Sequence, residues 1–287
     1  MYVDKKSNWL IRGFIIVGIV IMIVSIIIVF GWQKKPTSVN NVTSVNTSDY
    51  KTDNENVDNT AINNSDENLA ENNIESQEND GLPPSLIELK NKYPEAEDFV
   101  DSYPEYIGIE YNSDIDLSED VTEGEIPLFI QWDKRWGYYI YGNDFFGVNG
   151  CGPTCLAMVI CGLTNDTVCN PYEVAVFSMG NGYYIMGQGT SWNLMTKGAY
   201  AFGLTVEEGE ISEQYIRDNV SENSPMICSM YPGDFTYTGH FIVLTGIDEE
   251  GKVIVNDPNS YINSEKHWEL DELVSQIKSL WCYSLKE

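Results

Sequence analysis

Basic residues are scarce in this sequence: 16 Lys and Arg stand against 44 Asp and Glu in 287 residues, a formal charge of -28. A chain so acidic repels polyanions, which argues against nucleic acid and anionic lipid headgroups as partners. Histidine is scarcer still, with only His240 and His267, so chemistry that needs an imidazole has two candidates to choose from. The six cysteines, at 151, 155, 161, 169, 228 and 282, are too few and too scattered for a disulfide-dense scaffold. No C-x-x-C pair marks a zinc knuckle, and the thiols read as reduced.

Apolar runs are concentrated at one place. GFIIVGIVIMIVSIIIVFGW, residues 13–32, is uncharged and as long as a helix needs to be to cross a bilayer core. It reads as an uncleaved anchor rather than a signal peptide, because Phe30, Gly31, Trp32 and Gln33 replace the small-x-small cleavage pattern. Lys5, Lys6 and Arg12 before it against Lys34 and Lys35 after it tilt residues 1–12 to the cytoplasmic side, which would place the remainder outside the cell membrane.

Residues 33–82 lack nearly all aromatics and are rich in Asn, Asp, Glu, Ser and Thr, too polar to bury a core, and read as a disordered tether. As a flexible coil it would span roughly 35 to 40 Å, more with self-repulsion of its acids. Residues 83–125 read as a helical pre-segment: Ser85 is placed to cap a first helix, Pro94 interrupts it, and Pro104 ends a second. Dense aromatic and β-branched content begins at IPLFIQWDKRWGYYIYG, so residues 126–287 are expected to hold one catalytic unit.

Within that unit NGCGPTCLAMVICGL puts Cys151 at the entry of a buried helix, with Pro153 in its first turn, where a missing N–H costs nothing. The positive end of the helix favours an anionic sulfur, and the Cys151 N–H is positioned to help hold an oxyanion. A buried cysteine at a tight turn is the plainer reading of the same residue. Cys155, one turn deeper, reads as packed.

GHFIVLTGI, the turn DEEG and KVIVNDP form a hairpin. An even-length turn places residue 242 opposite 257 and leaves His240 diagonal to Asp257 on one face. A carboxylate there would orient the imidazole and stabilise its cation; a turn residue before Pro258 and a core histidine are the structural alternatives. His267 lies in a polar approach to a helix expected over Leu270 to Leu280 and reads as solvated. Trp132, Trp136, Tyr138, Tyr139 and Tyr141 read as packing before they read as a cleft lining, and the same holds for Tyr183 and Tyr184 in the glycine-rich MGNGYYIMGQG.

Four blocks in order, IPLFIQWDKRWG, GCGPTCLAMV, GTSWNLMTKGAYAFGL and GHFIVLTGIDEEGKVIVNDP, together resemble the C39-like family of papain-fold cysteine peptidases, related to the peptidase domains of bacteriocin exporters. The resemblance implies an α+β papain-like fold, a nucleophile helix packed on an antiparallel sheet. It implies Cys151 as nucleophile, His240 as base and Asp257 as the orienting acid. In exporter peptidases an oxyanion glutamine stands a few residues before the cysteine; here Phe145 and Phe146 occupy that stretch. Gln131 is the first candidate for the donor and Asn149 the second. The expected activity is hydrolysis of a peptide or amide bond with no metal or organic cofactor and a peptide-like substrate as partner. A cell-wall amidase or transacylase, or an inactive binding module, would use the same scaffold.

Overall fold

The computed structural model describes residues 81–111 and 113–286. The anchor expected over residues 13–32 and nearly all of the expected tether lie outside them. Among the described residues no helix is long and apolar enough to cross a membrane.

The chain opens with α1 (Pro84–Lys92), a 3-10 turn (Pro94–Ala96), α2 (Glu97–Asp101) and α3 (Tyr103–Tyr106). Pro94 does stop the first helix, since the residue before a proline is pushed out of helical geometry: Tyr93 has φ -127 and ψ 88. Two expectations need correction. Ser85 does not cap α1, which starts after Pro83; its hydroxyl donates to Asp144 Oδ1 at 2.8 Å instead. Pro104 does not end a helix but sits in the first turn of α3, where its ring is tolerated.

A small hairpin, β1 (Ile140–Tyr141) and β2 (Asp144–Phe145), leads into α4 (Phe146–Asn149) and the long helix α5 (Cys151–Thr164), which ends on left-handed Asn165. Then come α6 (Pro171–Gly180), capped by the Asn170 side chain, and a second small hairpin, β3 (Tyr184–Ile185) with β4 (Gly189–Thr190). The main sheet is built from β5 (Leu204–Glu208), β6 (Met226–Met230), β7 (His240–Ile247), β8 (Val253–Asn256) and β9 (Ile277–Leu285). Its order is β5-β9-β6-β7-β8, antiparallel throughout. The helices α7 (Glu213–Asn219), α8 (Tyr261–Glu265) and α9 (Leu270–Val274) connect the strands.

Alternation along the strands divides the core in two, as a period of two requires. Ile227, Phe241, Val243, Trp281 and Tyr283 join α5 residues such as Leu156 and Met158 in one cluster. Met226, Cys228, Ile242, Leu244, Val253 and Val255 join Ile216, Trp268 and Leu273 in the other. Helix α5 is apolar all round and buried from Gly152 to Leu163, so it is a core helix that leaves the core only at its two ends, exposed Thr164 and a half-buried amino terminus. Cys151 is the first residue of that amino terminus.

The helix expected over Leu270 to Leu280 stops at Val274; Ile277–Leu285 is a strand. Leu270, Leu273, Val274 and Ile277 do carry helical spacing, but this segment has a strand on each side to pair with, and those ladders outweigh local periodicity. The β7–β8 turn is also longer than expected. Ile247 pairs with Val253, an odd turn, yet a bulge between Leu244 and Gly246 restores the pairing, so Val243 faces Asn256. Extending that register sets residue 242 opposite 257, as an even turn would have done.

Candidate active site

Three elements converge on the sulfur of Cys151: the start of α5, the start of β7 and the turn after β8. The backbone enters α5 through Gly150 (φ -84, ψ 5), with no side-chain cap. The first N–H groups of a helix lack intrahelical partners, and Cys151 is the first residue of α5. The glycines on either side do more than leave the sulfur accessible. A Cβ on Gly150 would lie 2.7 Å from the Phe146 ring, and one on Gly152 would lie 2.7 Å from Thr190 Cβ. They let the nucleophile turn press against α4 on one side and β4 on the other. Cys151 itself is half-buried, and Cys155 is fully buried as expected, with burial pushing its thiol well above the ordinary range. All six cysteines are free.

His240 opens β7, and its Nε2 lies 2.7 Å from Asp257 Oδ1, with both side chains almost wholly buried. Cys151 lines the same cleft as His240 and is one of the groups that raise the pKa of its ring. With Nε2 engaged by the carboxylate, Nδ1 is the nitrogen left for sulfur. Burial acts against the charged imidazole. The Asp257 charge and hydrogen bond, with the Cys151 contact, outweigh it and raise the His240 pKa from 6.5 to about 10. The ring is therefore held protonated at neutral pH. The other histidine is elsewhere: His267 is 43% exposed and pairs through Nδ1 with Asp248 Oδ2 at 2.6 Å.

Asp257 is itself held in place. Its Oδ1 also accepts from the Asn259 backbone N–H at 2.9 Å, and its Oδ2 from Asn263 Nδ2 at 2.8 Å. The Asp257 N–H donates to Ser264 Oγ at 2.9 Å. Reading the sequence did not single out Asn259, Asn263 or Ser264. The Asp-Pro-Asn run, in which an aspartate accepts from the N–H two residues on, carried a signal for the first; Asn263 reaches the carboxylate and Ser264 the Asp257 backbone only because α8 folds back.

Gln131 and Asn149, the two oxyanion candidates, both border the cleft with Cys151. Gln131 is 2% exposed and tied by its N–H to the Pro258 carbonyl at 2.7 Å. Its Nε2 donates to the carbonyls of Gly147 at 2.9 Å and Val148 at 3.3 Å, while its Oε1 is buried without a partner. Asn149 holds only a long bond from Nδ2 to the Tyr141 carbonyl, 3.5 Å.

The cleft runs to both sides of Cys151 and His240. One arm, about 660 Å³, is bordered by Tyr184, the strip 187–190, Trp192, Met230 and Tyr231. The other, about 190 Å³, is bordered by α1, Tyr93, Gln131 and Asn259. The glycine-rich loop thus does border the cleft. The aromatic cluster does not: Trp136 and Tyr141 are fully buried, Trp132 and Tyr138 nearly so. Tyr139 packs edge to face on Tyr111 and against Tyr172.

The Peptidase_C39 like family model matches residues 123–285, which takes in every residue of the Cys151, His240 and Asp257 group. No curated protein matches. A solved structure described as a double glycine motif protease from an AMS/PCAT transporter, in complex with the leader peptide, is 19% identical. The alignment covers 58% of this chain and 96% of that one, with a TM-score of 0.38. With more than half its length matched by that family's model, the chain is a cysteine peptidase belonging to the Peptidase_C39 like family.

Proposed function

We propose that this chain hydrolyses peptide bonds with Cys151 as nucleophile, His240 as acid and base, and Asp257 as the group that orients His240, on a papain-like α+β scaffold. The observation that carries the reading is the buried 2.7 Å contact between His240 Nε2 and Asp257 Oδ1, with Cys151 lining the same cleft as the ring.

The raised His240 pKa supports a cationic imidazole beside the sulfur, the acid that the departing amine will need. The sulfur attacks the scissile carbonyl carbon, and the carbonyl oxygen takes up the electron pair and becomes an oxyanion. The Cys151 N–H and the Gln131 amide stabilise it, the longer Gln131 bond to Val148 being the one that yields. As the oxyanion collapses, the C–N bond breaks and His240 gives its proton to the departing amine, leaving a thioester. Water then attacks the thioester while His240 takes its proton. The C–S bond breaks, the carboxylic product leaves, and the thiolate and imidazolium are restored.

We place this catalytic unit outside the cell membrane on the anchor at residues 13–32, with residues 33–82 as tether and a peptide as substrate. The uncharged run from Gly13 to Trp32 and the composition that follows support this arrangement.

The test is turnover of a mixed peptide library by the full chain, read by mass spectrometry, beside Cys151→Ser. Cleavage by the wild type and none by the variant is the expected result. Equal cleavage by both, or release from purified cell-wall fragments and from no peptide, would overturn the proposal.

A further inference from the structure

The smaller arm of the cleft is walled by a part of the chain that the family match, which begins at residue 123, does not include. Leu89 is buried, Tyr93 half-buried, and Glu88 and Lys92 form an ion pair at the outer rim. Tyr93 lines this arm together with Cys151, His240 and Asn259, and burial first, then the charge of Asp257, raises its pKa. This phenol therefore stands among the reacting groups.

The segment is fastened to both banks of the cleft. On the Cys151 side, Ser85 Oγ donates to Asp144 and the Phe99 ring lies on two glycines. A Cβ on Gly137 would come within 2.6 Å of that ring, and one on Gly147 within 2.9 Å. On the Asp257 side, Glu95 accepts from Ser260 Oγ at 2.6 Å and from the Ile262 N–H at 3.1 Å. Leu86, Leu89, Ala96, Phe99 and Val100 share one buried cluster with Ile130, Trp132 and Tyr138. Residues 84–100 therefore form a strap across one end of the cleft, with two glycines of the catalytic unit shaped to receive it.

The two arms differ in what they can hold. Ligand pockets run from about 300 to 1,000 Å³; the open arm, at about 660 Å³, is in that range and the strapped arm, at about 190 Å³, is below it. Measured alike, the strapped arm has less than a third of the open arm's volume, room on the order of one amino-acid residue. We infer that the strap makes this a peptidase that cuts near one end of its substrate: several residues occupy the open arm, and about one residue fits between the scissile bond and Tyr93. The inference rests on the proposed role of Cys151.

Labelling of Cys151 by peptidyl electrophiles tests it without requiring turnover. The full chain is treated with peptides that carry an internal Michael acceptor in place of the scissile amide, extended by zero, one, two or four residues on either side. Rates are read from the mass of the Cys151 peptide. On one side, extension by two or more residues is expected to slow labelling at least tenfold; on the other, extension leaves the rate unchanged or raises it. Tyr93→Ala, which shortens the wall, and Phe99→Ala, which unseats the strap, are expected to cut that penalty below threefold. Tyr93→Ala leaves the Phe99 seat intact and serves if Phe99→Ala does not fold. Equal rates for both series, a penalty unchanged in folded variants, or no labelling even by the shortest probe would overturn the inference. Length-dependent labelling with no cleavage of any amide peptide would instead defeat the hydrolase reading alone, and cleavage with length-independent labelling would defeat the strap alone.

Discussion

His240 and Asp257, at opposite ends of a long hairpin connection, meet through Nε2 and Oδ1 at 2.7 Å with almost no solvent access to either. Two irregularities bring them together: an odd turn after Ile247 and a bulge before Gly246 that cancels it. Every other bond to Asp257 comes from the turn and helix just beyond it, Asn259, Ser260, Asn263 and Ser264. The carboxylate is thus held by its own turn and helix independently of the ring.

That geometry makes Asp257→Asn more harmful to rate than to fold. An amide keeps the shape but cannot hold the imidazole cation, and loss of an orienting carboxylate costs up to about 10⁴ in kcat in the Ser-His-Asp case. For this chain a fall of at least 10³ in kcat is expected, with the fold retained and the thermal transition lowered by the loss of the buried ion pair. Steady-state kinetics beside calorimetry checks it.

The same pair sets a pH dependence of stability. The folded His240 value lies above the ordinary 6.5, so its contribution is complete below about pH 6.5. It is lost as pH climbs toward 10. Wild type is therefore expected to lose a few kcal/mol across that window that Asp257→Asn, already without the ion pair, does not lose. Urea midpoints at pH 6, 8 and 10 for both proteins measure the difference; parallel curves would contradict the assignment.

Gln131 offers a sharper distinction between binding and catalysis. If its amide meets the oxyanion, Gln131→Ala lowers kcat by about 10²- to 10³-fold and leaves KM within a small factor. A rise in KM alone would show that the residue only shapes the wall of the cleft.

The seat of Phe99 carries a stability prediction independent of chemistry. Phe99→Ala removes a buried ring stacked on Tyr138 at 4.3 Å and is expected to cost about 3 to 5 kcal/mol. Gly137→Ala pushes a methyl against that ring and is expected to cost about 1 to 3 kcal/mol. Because the two residues touch, the double variant should be less destabilised than the sum of the singles.

Much of this site is written locally in the chain. Gly150-Cys151-Gly152-Pro153 ahead of an apolar run announces a helix with a thiol at its entry, and hairpin parity points His240 to Asp257, although the turn is odd and only the bulge before Gly246 restores that parity. What is not local is not legible. Ile277 to Leu285 continues the helical spacing of Leu270, Leu273 and Val274, and only β5 and β6 on its two sides make it a strand. Ser85 has the right identity for a cap, but Asp144, 59 residues away, takes its hydroxyl. Tyr93, next to Pro94, carries no mark of the cleft it borders, since the contact depends on Phe99 finding Gly137 and Gly147.

The claim at the centre is that Cys151 forms the covalent intermediate. Turnover of a cleaved peptide by the full chain, quenched in acid within the first catalytic cycle and digested, should show the acyl mass on the fragment holding Cys151. Asp257→Asn should show less of it. Product release from the wild type with no acyl mass on Cys151, or with the acyl mass on another of the six cysteines, would contradict the account.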